Sequence, residues 1–250
     1  MNEEMQERIA SVRERIEAAA KKSGRRPEEI TLIAVSKTVE PPAVWDALQC
    51  GITDLGENRV QELCRKREAI SEPGIRWHLI GHLQTNKIRQ ALPRADLIHS
   101  VDSLHLLGAL EQEAVRQDRN VNFLLQVNVS GEESKFGIAP SQVMNFVEMA
   151  ENKEKVKLCG LMTVPPPAAS PEANKPYFEA LRNLAVDIQA KNYDNISMDI
   201  LSMGMSGDFT AAIEEGATMV RVGTSIFGAR LPFHPQVELK EKVRKAGEES

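Results

Sequence analysis

The stretch Leu32-Ile33-Ala34-Val35-Ser36-Lys37 opens the pattern that decides the fold, because it is a short apolar run that delivers one lysine at its end. Short apolar runs bounded by polar segments are typical of buried strands. Similar runs recur along the whole chain. Together with the first run, at residues 31–36, they give eight predicted strands, the others at 54–56, 76–80, 97–100, 122–129, 156–163, 197–202 and 219–222.

Helical stretches separate these runs, at about residues 42–49, 59–70, 85–91, 103–116, 140–150, 174–190 and 207–214. An amphipathic helix is predicted before the first strand, at about residues 3–22, and a last helix at about residues 237–246. Continuous apolar strands that alternate with helices indicate a parallel sheet covered by helices. Eight such units with no change of pattern favour an α/β fold, a closed (β/α)8 barrel of the TIM type that forms a single domain over residues 1–250.

The composition excludes several classes of function. The net charge is −5 and aromatic residues make up 4% of the chain, so we expect no nucleic-acid partner. The three cysteines, Cys50, Cys64 and Cys159, suggest neither a disulfide framework nor a zinc site, so we expect a cytoplasmic location. The acidic N-terminus does not resemble a signal peptide, and no window approaches the roughly 18 consecutive apolar residues of a membrane span.

Polar and glycine-bearing positions follow the predicted strands. In a (β/α)8 barrel the C-terminal ends of all strands meet at one face, so residues far apart in sequence come together there. The sequence therefore predicts a site at this face. The strands deliver to it Lys37, Glu57-Asn58, Gly81-His82, Asn128, Met162-Thr163, the segment from Ser202 through Met203 to Asp208, and Arg221-Val222-Gly223-Thr224.

Lys37 has two interpretations. An ammonium placed where an apolar strand leaves the core loses hydration, which lowers its pKa and exposes the amine lone pair for attack on a carbonyl. Such a lysine forms Schiff bases. Alternatively, Lys37 turns to solvent at the end of the strand, and the fragment alone does not decide between the two.

Two segments near the end of the chain have the features of phosphate-binding loops. Ser206-Gly207 precedes a predicted helix and Gly223-Thr224 follows a predicted strand, so backbone N–H groups and hydroxyls are available to an anion. Ordinary turns are the alternative. Asp208 would repel a phosphate, so we expect its carboxylate to point aside and to cap the following helix.

Arg221 lies at an apolar strand end, where its guanidinium needs a partner, either a carboxylate or a ring nitrogen of a cofactor. His78 and His82 have a spacing that occurs in metal sites, but the segment between them indicates a strand and a turn, so we expect no metal. The remaining histidines, His99, His105 and His234, belong to no recognisable constellation.

Several blocks of the chain together resemble a known family, that of the pyridoxal phosphate homeostasis proteins, also called the YggS or PROSC family. The resemblance extends from about residue 5 to residue 230. Its motifs are Ala34-Val35-Ser36-Lys37, Gly56-Glu57-Asn58-Arg59-Val60-Gln61-Glu62, Trp77-His78-Leu79-Ile80-Gly81-His82-Leu83-Gln84-Thr85-Asn86-Lys87, Ser134-Lys135-Phe136-Gly137, Gly160-Leu161-Met162-Thr163, Ser202-Met203-Gly204-Met205-Ser206-Gly207-Asp208 and Arg221-Val222-Gly223-Thr224-Ser225-Ile226-Phe227-Gly228.

The resemblance implies a barrel related to the N-terminal domain of alanine racemase that holds pyridoxal 5'-phosphate (PLP) as an aldimine on Lys37. It also implies roles for the other residues at the strand ends. Ser206, Gly223 and Thr224 would hold the phosphate, Arg221 would face the pyridine nitrogen, Asn58 and His82 would lie near the ring, and Met203 belongs to the same cofactor-binding set.

The resemblance further implies a cytoplasmic protein of vitamin B6 and amino-acid homeostasis without convincing enzymatic activity.

PLP drives carbanion chemistry when its pyridine nitrogen is protonated, which usually requires a carboxylate partner. Arg221 cannot accept that proton, because its pKa stays above about 12. The only tyrosines, Tyr177 and Tyr193, fall on or after the helix between strands six and seven. We therefore expect a non-catalytic protein, with an amino-acid racemase or decarboxylase as the alternative. Expected partners are PLP and PLP-dependent apo-enzymes, and the expected state is a monomer or weak dimer.

Overall fold

A closed barrel of eight parallel strands forms the centre of the computed structural model, which describes residues 2–228. Neighbouring strands in the barrel follow chain order, and the last strand pairs with the first. The predicted fold is therefore confirmed. The strands are β1 Thr31–Val35, β2 Asp54–Glu57, β3 Arg76–Leu79, β4 Leu97–Val101, β5 Val121–Gln126, β6 Val156–Met162, β7 Ile196–Met205 and β8 Met219–Val222.

Helices surround the barrel and alternate with its strands. They are α1 Glu3–Lys22, α2 Pro41–Gln49, α3 Val60–Ala69, α4 Ile88–Ala91, α5 Leu104–Arg116, α6 Val143–Glu151, α7 Lys175–Gln189, α8 Phe209–Glu214 and α9 Thr224–Phe227. The helix predicted at residues 237–246 lies outside the described residues. Within the described range, none of the helices combines the length and the apolar character that crossing a bilayer requires.

The opening helix α1 was predicted with its observed bounds. The side chain of Asn2 accepts a hydrogen bond from the backbone N–H of Met5, which caps the first turn. Its buried face includes Ile9, Val12 and Ile16, and the helix packs against α8 and α9. The apolar positions spaced by three or four residues therefore cover the junction at which the barrel closes.

Some elements differ from their predicted bounds. The segment predicted as a helix at residues 85–91 is a 3-10 turn, Thr85–Lys87, followed by the single turn of α4, and the 3-10 turn Pro140–Gln142 likewise precedes α6. Strand β5 ends three residues earlier than predicted, because Val127 leaves the regular ladder and forms an isolated bridge with Ile138.

Strand β7 is longer than predicted and irregular near its end. Its register against β8 shifts between Ser202 and Met205. Gly204 lies in this segment with a φ of 91°, and a Cβ atom there would stand 2.9 Å from Cα of Phe209. A glycine is thus required for the strand end to pass close to α8, which brings Ser206 to the mouth of the barrel.

The hydrophobic residues form two clusters. The larger one lies between the barrel and its helices, and the smaller one contains Ile33, Leu97, Leu124, Met162 and Met219. The smaller cluster alternates along the strands with residues of the larger one, as expected for side chains inside a barrel. The rest of the barrel interior is polar, and the candidate site lies in this polar part.

Candidate functional site

Lys37 follows β1 directly, and the backbone on both sides of it is anchored. Before it, Ser36 is buried, and its carbonyl oxygen accepts a hydrogen bond from the Lys66 ammonium at 2.5 Å. After it, the backbone N–H of Thr38 donates to Oε2 of Glu62 at 2.8 Å. Thr38 has a φ of 61°, which is uncommon for a β-branched residue. The half-buried Lys37 is therefore presented by a turn whose shape is fixed from α3.

A buried ion pair stands behind this turn. Lys66 and Glu57 are both fully buried, and Nζ of Lys66 lies 2.6 Å from Oε1 of Glu57. The Ser36 hydroxyl donates to the same oxygen at 2.5 Å, whereas Oε2 of Glu57 has no hydrogen-bond partner among the described residues. Burial raises the pKa of Glu57, although the Lys66 ammonium and the Ser36 hydroxyl act in the opposite direction. The pair joins β1, β2 and α3 where Lys37 leaves the barrel wall.

Arg221 of β8 is buried at the polar end of the barrel interior. Its Nη1 donates to Oγ of Ser202 at 2.6 Å, and its Nη2 donates to the carbonyl oxygen of Thr163 at 2.8 Å. Within residues 2–228 no carboxylate forms an ion pair with it, so the carboxylate partner considered from the sequence is not found there. Burial lowers the pKa of Arg221 to about 10, against the value above about 12 expected from the sequence, and the group stays protonated at neutral pH.

The two loops predicted to bind phosphate lie against each other. The backbone N–H of Gly223 donates to Oγ of Ser206 at 3.2 Å, and Thr224, the next residue, is exposed. Segments that follow two different strands therefore meet at Ser206 and Gly223, where the N–H of Gly223 is engaged and the Ser206 hydroxyl keeps its own hydrogen. Hydroxyl and backbone N–H groups of such loops are donors that suit an anion.

The prediction that Asp208 caps α8 is wrong. Its Oδ1 accepts from the backbone N–H of Met205 at 2.7 Å, and its Oδ2 accepts from Nδ2 of Asn174 at 2.7 Å. The carboxylate is thus occupied by the loop before it and by the segment before α7, and no side-chain cap is present at α8. Both oxygens of this buried carboxylate are therefore engaged with groups other than Ser206.

Asn58 and His82 line one cavity of about 540 Å³ at the ends of β2 and β3. A Cβ atom on Gly81 would stand 2.3 Å from the carbonyl oxygen of Asn58, so a glycine is needed for the two loops to approach. The ring of His82 stacks on Phe136, with centroids 4.5 Å apart, and its Nδ1 lies 3.4 Å from Oδ2 of Asp102. Asn58 and His82 therefore both follow strand ends and share a cavity, but the other predicted site residues do not line it.

Met203 stands apart from the other predicted site residues. Its side chain is fully buried in the larger hydrophobic cluster, which also contains Phe209 of α8. A second cavity, of about 330 Å³, lies next to this strand end and is lined by Met205, Gly207 and Lys135. Any part that Met203 has in ligand binding would therefore come from its backbone.

The interior of the barrel contains a chain of polar side chains that the sequence does not predict. Nε2 of His78 lies 2.8 Å from Oδ1 of Asp54, Nδ1 of His78 lies 3.0 Å from Nε2 of His99, and Nδ1 of His99 lies 2.9 Å from Oγ of Ser202. His99, treated above as an ordinary residue, is thus central to this chain. One signal could have found it, because Asp54, His78 and His99 are polar residues inside otherwise apolar strand runs.

The spacing of His78 and His82 brings no metal site together. His78 lies inside the barrel, whereas His82 is partly exposed at the mouth. Among residues 2–228, no group of three or more histidine, cysteine, aspartate or glutamate side chains is arranged to hold a metal ion.

Comparison with known proteins adds to this geometry. The family model described as "Alanine racemase, N-terminal domain" matches residues 8–231. A pyridoxal phosphate homeostasis protein of Aquifex aeolicus is 42% identical over 224 residues, which cover 90% of this chain and 97% of that protein.

Solved structures show the same relationship. The structure of PipY from Synechococcus elongatus with PLP bound is 34% identical, with a TM-score of 0.79 and coverage of 90% of this chain and 100% of that one. Alanine racemase from Clostridium difficile is 16% identical with a TM-score of 0.66, covering 92% of this chain and 58% of that one, and it shows the fold alone.

Proposed function

This chain belongs to the family of pyridoxal phosphate homeostasis proteins, and on that premise we propose that it binds PLP as an aldimine on Lys37 without turning over a substrate. The observation that supports the proposal is the closed parallel barrel, because three kinds of group belong to or follow strands whose carboxyl ends share one face. These are the amine of Lys37 on an anchored turn, the buried guanidinium of Arg221, and the joined loops of Ser206 and Gly223.

The residues present fit the three reactive parts of PLP. A lysine amine suits the aldehyde, because an amine condenses with a carbonyl to form a Schiff base. The hydroxyls of Ser206 and Thr224 suit the phosphate, as does the backbone N–H of Gly223 when the phosphate replaces Oγ of Ser206 as its acceptor. The N–H groups of Arg221 suit an unprotonated pyridine nitrogen. Asn58 and His82 would flank the ring at the mouth, and Met203 would contribute through its backbone.

The same residues favour binding over turnover. PLP supplies an electron sink for carbanion chemistry, and the sink is strongest when the ring nitrogen is protonated. Arg221, with a pKa of about 10, stays protonated at neutral pH and offers only N–H donors to that nitrogen. Tyr177 lies on α7 and Tyr193 follows that helix, so neither belongs to a strand end at the mouth. The proposal is therefore a protein that holds and releases PLP in vitamin B6 and amino-acid homeostasis.

An absorption titration tests the role of Lys37. PLP is added to the ligand-free protein, and the visible band of the aldimine is followed for wild type, Lys37→Ala and the control Lys157→Ala. Lys157 lies on β6 and is exposed, so its replacement makes the same chemical change away from the mouth. We expect the band in wild type and in Lys157→Ala and its loss in Lys37→Ala. An unchanged band in Lys37→Ala would show that the aldimine forms elsewhere.

A second class of function, an amino-acid racemase or decarboxylase, shares the barrel and the lysine. Incubation of PLP-loaded protein with single L-amino acids, with chirality and carbon dioxide as readouts, separates the two. We expect no sustained turnover. Sustained turnover that disappears in Lys37→Ala would show that the protein is an enzyme and not a binding protein.

The proposed partners are PLP-dependent apo-enzymes in the cytoplasm, which would receive the cofactor from a monomer or weak dimer. Reactivation of an apo-enzyme by PLP-loaded protein is compared with reactivation by free PLP at the same concentration. A faster reactivation from the loaded protein supports delivery, whereas equal rates would reduce the role to that of a passive buffer.

A further inference from the structure

A continuous row of hydrogen bonds crosses the interior of the barrel from Arg221 to Asp54. Arg221 contacts Ser202 at 2.6 Å, Ser202 contacts His99 at 2.9 Å, His99 contacts His78 at 3.0 Å, and His78 contacts Asp54 at 2.8 Å. All five residues are buried. Arg221 ends the row at the cofactor side, and Asp54 begins β2 at the opposite end of the barrel.

The two ends of this row determine how its hydrogens are arranged. Arg221 can only donate, so Oγ of Ser202 must accept from it. The carboxylate of Asp54 can only accept, so His78 must carry a proton on Nε2. If both imidazoles are neutral, Nδ1 of His78 then accepts from Nε2–H of His99, and Nδ1 of His99 accepts from the hydroxyl of Ser202. Every hydrogen consequently points from Arg221 towards Asp54.

Electrostatics supports a neutral His99 and an ionised Asp54 at the acceptor end. Burial lowers the pKa of His99 well below its ordinary value, so its ring is neutral and has one donor and one acceptor nitrogen. Burial raises the pKa of Asp54, but hydrogen bonds from His78 and Arg76 outweigh that effect and lower it, so Asp54 is ionised. Arg76 also pairs with Asp54 at 2.8 Å and fixes the acceptor end of the row.

We propose that Asp54, His78, His99 and Ser202 are positioning residues, which orient the Ser202 hydroxyl as an acceptor and so hold the Arg221 guanidinium towards the pyridine nitrogen of PLP. This inference rests on the proposed function. Ser202 accepts from Nη1, while the carbonyl oxygen of Thr163 accepts from Nη2, so two acceptors fix the plane of the guanidinium. Arg221, a buried cation, has no ion-pair partner among the described residues. The row connects it to the buried carboxylate of Asp54.

The first test needs neither PLP nor a change of sequence. In ligand-free protein labelled with ¹⁵N in its histidine rings, the resonances distinguish protonated from unprotonated nitrogens. At neutral pH we expect His99 to carry its proton on Nε2 and to leave Nδ1 unprotonated, and we expect His78 to carry a proton on Nε2, where it faces Asp54. A proton on Nδ1 of His99 in the wild-type protein would overturn the proposed direction.

The second test asks whether the far end of the row influences the near end. Asp54→Asn replaces a group that can only accept by one that can also donate, so the opposite direction becomes available to both histidines. We expect the ¹⁵N pattern of His99 to shift towards a proton on Nδ1. An unchanged His99 pattern in folded Asp54→Asn protein would show that the row does not act as one unit.

The third test measures PLP affinity in Ser202→Ala. Loss of a buried hydrogen bond to a charged group should weaken PLP binding about tenfold or more. The control is Ser23→Ala, which removes another serine hydroxyl, one that donates to the carbonyl oxygens of Ala19 and Ala20 at the end of α1 instead of joining the row. We expect this control to lose stability but to keep its PLP affinity.

The outcomes separate the inference from the proposed function. If wild-type protein forms no aldimine on Lys37, the proposed function fails whatever the histidine resonances show. If wild type binds PLP through Lys37 and Ser202→Ala binds it equally well, the positioning role fails and the proposed function stands.

Discussion

Replacement of Lys66 by methionine should strongly destabilise the protein, because it leaves Glu57 as a buried carboxylate without its cation. Both side chains are fully buried, Oε1 of Glu57 loses the ammonium at 2.6 Å, and Oε2 already has no partner among the described residues. Breaking a buried pair by removing one partner costs about 3–5 kcal/mol of unfolding free energy. Glu57 can avoid the charge by binding a proton, at about 1.4 kcal/mol for each pH unit above its unfolded pKa.

This proton binding makes the loss depend on pH. With an unfolded pKa of 4.5 for Glu57, the protonation route costs about 4 kcal/mol at about pH 7.5 and almost nothing at about pH 4.5. A folded pKa that lies above the unfolded one gives stability that is present at low pH and is lost as the pH rises from 4.5 towards the folded value. Burial already raises the pKa of Glu57 in wild type, and the loss of Lys66 removes the main opposing influence, so the variant should show this dependence more strongly.

The assay is urea unfolding of wild type, Lys66→Met and the double variant Glu57→Gln/Lys66→Met at both pH values. We expect Lys66→Met to lose about 3–5 kcal/mol near neutral pH and much less at about pH 4.5. The double variant should recover most of the loss at neutral pH, because it buries no charge. An equal loss for Lys66→Met at both pH values, or a double variant as unstable as the single one, would refute the reasoning.

Two further predictions concern the mouth of the barrel. Gly81→Ala should lower the unfolding free energy by about 1–3 kcal/mol in thermal or urea unfolding and weaken PLP binding, because its Cβ would meet the Asn58 backbone. The control Gly108→Ala, on α5 with open space around it, should leave the unfolding free energy unchanged or raise it. Equal changes in the two variants would contradict this prediction. Asp208→Ala should lower PLP affinity and cost about 1–3 kcal/mol, because the backbone N–H of Met205 loses its acceptor. Asp208→Asn, which keeps an oxygen for that N–H, should stay close to wild type, and a matching loss in both variants would argue against the role of the hydrogen bond.

The sequence predicted the barrel because its signal is local. Each strand of this parallel sheet is a continuous apolar run, and a helical stretch separates each strand from the next. The number of these runs therefore predicts an eight-stranded barrel. The barrel alone predicts that Lys37, Ser206, Arg221 and Gly223 converge, because parallel strands bring their C-terminal ends to one face. The joined loops of Ser206 and Gly223 agree with that expectation.

The partners of buried polar groups could not be predicted in the same way. Ser202 lies 103 residues from His99 in sequence and 19 from Arg221, and no local pattern links them. Asp208 has the residue type and position of a helix cap, but a tertiary hydrogen bond from Asn174 and a local one from the N–H of Met205 take its oxygens instead. Such contacts depend on the register between distant strands, which an apolar pattern does not fix for each side chain.

The most direct test of the account is to locate the PLP attachment chemically. Ligand-free protein is loaded with PLP, reduced with borohydride so that any imine becomes a stable secondary amine, and digested for mass spectrometry. We predict a phosphopyridoxyl group on Lys37, and no comparable modification in Lys37→Ala. Modification of another lysine with Lys37 untouched, or an equal amount of label on Lys37→Ala, would contradict the account.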